Sequence, residues 1–221
     1  MKISNETKAI LKNFATINSG IKVDSGNQLK TISNMKNILA VANVPETFNQ
    51  GFSIYNLVEF LGAISLTENP DFNFNEQSLS IADADTSLTY FYASEGMVMS
   101  PEKMITMPES EVTIELSSTL LNELQKAASV LGVNDLVLSS DGTKIEFQVT
   151  DKKNATSNTF SRTVGEGTGS TFTMNFKIEN LKVLDGNYTV SVSSKGISNF
   201  KNKDVDIEYF IALEPDSVYN A

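Results

Sequence analysis

The chain contains no cysteine and no histidine. Without cysteine there is no disulfide framework and no thiol nucleophile. Without histidine the commonest general base and the commonest zinc ligand are both missing. A serine nucleophile would have only a lysine to activate it, and no motif supports such a dyad, so no enzyme is expected. No apolar run approaches the roughly 18 residues that cross a bilayer. The start of the chain carries Lys2 but no apolar core segment, which argues against a signal peptide. The Asn-x-Ser/Thr sequences at Asn5, Asn154 and Asn187 accordingly read as chance occurrences in a cytoplasmic protein.

What is present is 221 residues, 40% of them apolar, enough for one large domain or two small ones with separate cores. The net charge of −10 argues against nucleic acid, but its distribution does not. Residues 1–40 hold six lysines against Glu6 and Asp24, a balance of +4. Residues 41–123 hold thirteen acids against Lys103, a balance of −12, and the remainder stands at −2. This segregation points to one basic surface on an otherwise acidic body; the plainer alternative is a solvated charged face with no ligand.

The second half of the chain repeats the first. Phe52-Ser53-Ile54-Tyr55-Asn56-Leu57 returns as Phe176-Lys177-Ile178-Glu179-Asn180-Leu181, and Tyr90-Phe91-Tyr92-Ala93 as Tyr209-Phe210-Ile211-Ala212. Ile3-Ser4 and Leu116-Ser117 open an amphipathic segment in each half. The offsets, 124, 119 and 113 residues, keep the same order along the chain. A spacing this long exceeds the roughly 20–50 residues of solenoid units and indicates a duplicated domain.

Helical signals fall at matching places. Segment 4–18 starts at Ser4, a good N-cap, and stops at Asn18-Ser19-Gly20. Ile10, Leu11, Phe14 and Ile17 share one face of it; Asn5, Lys8, Lys12 and Thr16 share the other. In segment 117–131, Leu120, Leu121, Leu124, Ala128 and Leu131 face inward, and Asn122, Lys126 and Ser129 outward. Segment 53–66 is predicted to bury Ile54, Leu57, Val58, Leu61 and Ile64, and a shorter helical turn at 178–184 carries Ile178, Leu181 and Leu184.

Period-two alternation marks strands at 112–116 and 145–149, through Phe172, Met174 and Phe176, and from Ile207 to Leu213. Asp141-Gly142 signals a hairpin turn. Each half thus reads as α+β, two helices lying on one face of an antiparallel sheet. The organisation expected is domain 1 over residues 1–93, a connector over 94–110 with Pro101 and Pro108, and domain 2 over 111–221.

Three further features invite chemistry. Gly165-Glu166-Gly167-Thr168-Gly169-Ser170-Thr171 lacks the lysine and following helix of a phosphate loop and reads as a flexible hairpin loop. Asp83-Ala84-Asp85 and Asp204-Val205-Asp206 lack the further spaced carboxylates and glycine hinge of a cation site, so no metal is expected. The connector holds Met97, Met99, Met104 and Met107 beside Val98 and Ile105. These methionines either pack a domain junction or form an adaptable docking surface for partner peptides.

The run Ile10-Leu11-Lys12-Asn13-Phe14-Ala15-Thr16-Ile17-Asn18-Ser19-Gly20-Ile21 resembles the first helix of the sliding clamps of T-even-type bacteriophages. Ile54-Tyr55, Phe60-Leu61-Gly62, Ile81-Ala82-Asp83-Ala84, and Ala212-Leu213-Glu214 with Asp216-Ser217 resemble the same family at corresponding places. Residues 134–170 depart from it. The resemblance implies the DNA-clamp fold, a homotrimer of two-domain subunits and a ring around duplex DNA. It also implies a clamp loader that opens the ring with ATP, a replicative DNA polymerase tethered to it, and late-transcription factors as further partners. The place of action would be the cytoplasm of the infected bacterial host, with no active site, cofactor or membrane involved.

Under that resemblance the DNA-facing residues are Lys8, Lys12 and Lys126 with Asn5 and Asn122, joined by Lys2 and Lys182. Partner docking falls to the four connector methionines and to the segment from Leu213 to Tyr219. Two alternatives stand beside it: a β-rich virion or adhesion module, and a polymerase-binding adaptor that never encircles DNA.

Overall fold

A computed structural model describes residues 1–94 and 96–220. The chain divides into two compact units, Met1–Met104 and Ile105 onward. The first contains α1 (Asn5–Ile17), β1 (Ile21–Val23), β2 (Gly26–Ile32), β3 (Ile38–Phe48), β4 (Phe52–Ile54), α2 (Leu57–Ile64), β5 (Asp71–Phe74), β6 (Ser78–Ala82) and β7 (Ser87–Phe91). The second contains β8 (Val112–Leu116), α3 (Ser118–Leu131), β9 (Asp135–Asp141), β10 (Lys144–Thr150), β11 (Phe160–Glu166) and β12 (Thr171–Lys177), followed by β13 (Tyr188–Ser193), β14 (Ile197–Asn202), β15 (Ile207–Ala212) and β16 (Val218–Asn220). Residues 92–111 form neither helix nor strand among the described residues.

In the first unit β1 pairs with β4, β2 with β3, and β5-β6-β7 form a meander, all antiparallel. In the second, one sheet runs β11-β10-β9-β12-β16, and β15-β14-β13-β8 form a second antiparallel set. The repeat is real in structure. Ser4 and Ser117 are the N-caps of α1 and α3, and Tyr90 and Tyr209 both lie in strands, β7 and β15. Phe52 and Phe176 both sit in strands that lead into a helical turn.

Two helical expectations need correction. The first-half segment from 53 begins as strand, because Phe52–Ile54 pairs with Ile21–Val23. Helix α2 starts only where the Asn56 side chain accepts the Glu59 N–H at 3.1 Å, a capping bond that sets the first turn. That start fixes the phase: Leu57, Phe60 and Ile64 are buried, while Val58, expected inside, is 65% exposed. In the second half, the segment from 178 closes only one 3-10 turn, Ile178–Asn180, with the Leu181 N–H bonded to the Ile178 carbonyl. A single turn cannot recover the cost of helix nucleation, and Asp185-Gly186, with φ of 156° at the glycine, turns the chain into β13. Among the described residues the second unit therefore has one α-helix.

The glycine-rich segment is a third correction. Strands β11 and β12 are not neighbours; β10 and β9 lie between them. Residues 167–170 therefore pass over the tip of the β9–β10 hairpin, with the Gly167 N–H bonded to the Thr143 carbonyl and the Gly169 N–H to that of Gly142. A Cβ at Gly167 would stand 2.4 Å from the Gly142 carbonyl carbon. Glycine is required here by backbone meeting backbone. The hairpin tip beneath is tightened by Asp141, whose carboxylate accepts from the Thr143 hydroxyl and from the Thr143 and Lys144 N–H groups. Those bonds, the hydroxyl's foremost, pull its carboxyl down to about 2.

Gly167→Ala is expected to lower stability by about 1–3 kcal/mol, since backbone must move to admit the methyl group. A urea denaturation midpoint equal to that of the wild type would show that the crossing is loose.

Candidate nucleic-acid interface

Helix α1 is seated from both ends of its apolar stripe. Thr7, Ile10, Leu11, Phe14 and Ile17 are buried, with Ile10 and Phe14 wholly inaccessible, and the helix packs on β2, β3 and α2. At its start the Ser4 hydroxyl accepts the Thr7 N–H at 3.1 Å. Glu46 of β3 then accepts from the Ser4 N–H with one carboxylate oxygen and from the Thr7 hydroxyl with the other. Partial burial pushes the Glu46 carboxyl up, but the bonds from Thr7 and Ser4 outweigh it and hold the group below its ordinary value.

With the apolar stripe inward, the opposite face follows. Asn5, Lys12 and Thr16 are exposed and Lys8 half-buried. Neither lysine ammonium forms an ion pair or hydrogen bond among the described residues. Helix α3 repeats the arrangement. Ser117 caps its start, Gly132 in the left-handed region ends it, and Leu121, Leu124 and Ala128 are buried. Asn122, Lys126 and Ser129 are exposed, and Lys126 has no ion-pair partner among the described residues. Leu120 and Leu131, expected inside, are half-buried at the edges of the stripe.

Not every predicted site residue has the same freedom. Asn122 donates to Asp185 at 3.2 Å, so part of its side chain is committed to the first turn of α3. Lys2 precedes α1; its ammonium reaches the Asn69 carbonyl and lies 3.4 Å from Asp71. Lys182 is exposed beyond the 3-10 turn. Sequence reasoning missed Glu46, whose role is invisible without the β3–α1 approach. It also missed a groove of about 570 Å³ between α1 and α2, lined in part by Lys8, Lys12, Val58 and Leu61.

The partner-docking residues separate likewise. Met97, Met99 and Met104 are exposed and Met107 is half-buried. Leu213, which opens the segment expected to dock partners, is only 8% exposed, with its N–H bonded to the Gly196 carbonyl at 3.0 Å. Tyr219 is half-buried in β16 and stacks on Phe172, ring centroids 6.1 Å apart. Of the acidic pairs, Asp83 accepts the N–H groups of Ala84 and Asn69, which occupies its carboxylate with backbone.

Comparison with known proteins decides the family. Over 97% of its length the chain is 33% identical to the sliding clamp of Vibrio phage KVP40, covering 99% of that protein. The chain belongs to the phage sliding-clamp family. The T4 sliding clamp is 30% identical over the full length of both chains. Residues 113–215 match the family described as gp45 sliding clamp, C terminal. Among solved structures, the proliferating cell nuclear antigen of Thermococcus kodakaraensis superposes with a TM-score of 0.71 at 12% identity, covering 95% of this chain and 96% of that one. The Helicobacter pylori beta clamp bound to a DNA ligase peptide gives 0.71 at 12%, covering 97% of this chain and 65% of that one. The fold is thus the clamp fold. Membership makes the protein a non-enzymatic processivity factor of DNA replication, of phage origin.

A carboxyl held below its ordinary value stabilises the fold above that value, and the contribution is lost as pH falls through the lowered one. Glu46→Gln should therefore melt below the wild type at neutral pH, and the gap should close as pH falls below 4.5. A gap that stays constant from neutral to strongly acidic pH would contradict the role given to Glu46.

Proposed function

We propose that three copies of this chain close into a ring around duplex DNA and hold the replicative polymerase on its template. The observation that carries this reading is the pair of capped helices, α1 and α3, whose outward faces bear Lys8, Lys12 and Lys126, unpaired among the described residues, in a chain of net charge −10. Lysines of this kind contact phosphates without reading sequence, and their grip weakens with salt, which suits a ring that must slide. The acidic excess elsewhere discourages DNA from binding outside the ring. Threefold repetition turns a sparse set of cations into a continuous collar.

Ring closure has a supporting feature in each unit. Strands β7 and β11 stand at the ends of their sheets, β7 alternating exposed with half-buried side chains and β11 mostly exposed. Head-to-tail pairing of one such edge with the other on a neighbouring copy is a heterologous contact, which closes when the rotation per copy divides a full turn. In this reading residues 1–93 and 111–221 are the two clamp domains, and 94–110 is the connector whose exposed methionines receive partner peptides. A clamp loader using ATP opens the ring. Contacts with late-transcription factors, in the cytoplasm of the infected host, are supported by family likeness alone. Lys2, tied to Asp71, contributes less to the collar than Lys8 and Lys12.

Sedimentation at micromolar concentration should give a species of about three times the 24.1 kDa chain. Lys8→Glu with Lys12→Glu reverses two charges per subunit, and should cut loader-dependent retention on primed DNA by about tenfold or more while leaving that mass unchanged. Unaltered retention in low salt would remove these lysines from the DNA interface. A monomer at the same concentration would favour an adaptor that does not encircle DNA.

A further inference from the structure

The groove between α1 and α2 has a character that phosphate contact does not explain. Its volume of about 570 Å³ falls in the roughly 300–1,000 Å³ range of ligand sites. Val58, Leu61 and Ile64 of α2 and Ala15 of α1 supply apolar lining, and Lys8 and Lys12 are its only charged residues among those described. Val58 stands 65% exposed on α2, an apolar side chain turned away from the core. The only comparable side chain on α3 is Val130 among the described residues, 75% exposed, and the groove it lines carries an acid as well as a lysine.

We propose that this groove docks a short, acidic, amphipathic helix of a partner protein. Apolar side chains at i, i+3 and i+4 would seat against Val58, Leu61 and Ala15, in the manner of helix-in-groove recognition. Lys8 and Lys12 lie one helical turn apart on α1, the spacing that meets carboxylates at i and i+4 of a parallel neighbour. Helix α2 has eight residues, a wall of about 12 Å at 1.5 Å per residue, which accommodates about two turns of the incoming helix. The smaller groove beside α3, lined by Lys126, Val130 and Phe160, does not share this one-sided charge. Glu123 lines it too, and is paired with Arg162 at 3.2 Å.

One consequence rests on the proposed DNA contact. Lys8 and Lys12 serve both ligands, so the acidic helix and the duplex exclude each other, and the partner leaves when DNA enters. The docking itself does not depend on that reading.

The test uses the full chain without DNA and a fluorescein-labelled, helix-forming peptide of about 12 residues, with leucine at i, i+3, i+4 and i+7 and glutamate on the flanks. Saturable binding is expected, weakened about tenfold or more by Lys8→Glu with Lys12→Glu, because two complementary charges become repulsive. The same peptide with lysine in place of glutamate should bind that variant better than it binds the wild type. Val58→Asn, at an exposed position that cannot disturb the core, should also weaken binding of the acidic peptide. No saturation up to about 1 mM, the weakest affinity of interest, would overturn the proposal. So would equal affinity for acidic and basic peptides, or an affinity untouched by Val58→Asn. Adding a short linear duplex should displace the acidic peptide. If the peptide binds as described and the duplex fails to displace it, the docking site stands and the DNA assignment of Lys8 and Lys12 falls.

Discussion

Everything functional in the first unit depends on how α1 is seated. Five side chains, from Thr7 to Ile17, are drawn into the core, and the Glu46 carboxylate grips the helix start through Ser4 and Thr7. Burying groups such as Ile10 and Phe14 is worth roughly 1.5–3 kcal/mol apiece, far more than any surface ion pair could return. The rotation of α1 about its axis is therefore set by its apolar stripe, and Lys8 and Lys12 have no choice but the other side. The basic face is a by-product of core packing. Because no acid among the described residues is paired with these lysines, their charge stays available for a ligand.

The same logic governs α3, with a weaker outcome. Its cap, stripe and left-handed Gly132 stop reproduce the arrangement of α1, but its outer face carries one lysine where α1 carries two. Asn122 and Glu123 on that helix are further drawn toward Asp185 and Arg162. Duplication copied the packing rule more faithfully than the charge. A collar built from such units would be uneven, stronger at each first unit than at each second.

What could be read from the sequence and what could not divides along a physical line. Ser4, Ser117 and the 3.6-residue stripes of α1 and α3 are local signals, and both helices lie where those signals place them. The strands at 112–116 and 145–149 and the Asp141-Gly142 turn were legible for the same reason. Errors arose where a distant pairing overrides local pattern. Phe52–Ile54 continues the apolar rhythm of α2 but is claimed by β1, which shifts the start of the helix to the Asn56 cap and turns Val58 outward. Gly167 looks like loop flexibility until the crossing over Gly142 explains it as close contact. The burial of Leu213, in the segment read as a docking site, is likewise set by a distant partner, Gly196, and the packing around it. The candidate DNA face was legible because it is the complement of a local stripe. Glu46 and the α1–α2 groove were not, because each is made by elements far apart in sequence.

The central claim is topological: the protein holds DNA by encircling it, with lysines that grip no particular sequence. The most direct measurement loads the protein with clamp loader and ATP onto nicked circular DNA, removes free protein, and compares retention before and after the circle is cut once. Encirclement requires that the protein stay on the circle and slide off the linear form with little dependence on moderate salt. Equal retention on circular and linear DNA, with loss governed by salt alone, would contradict it.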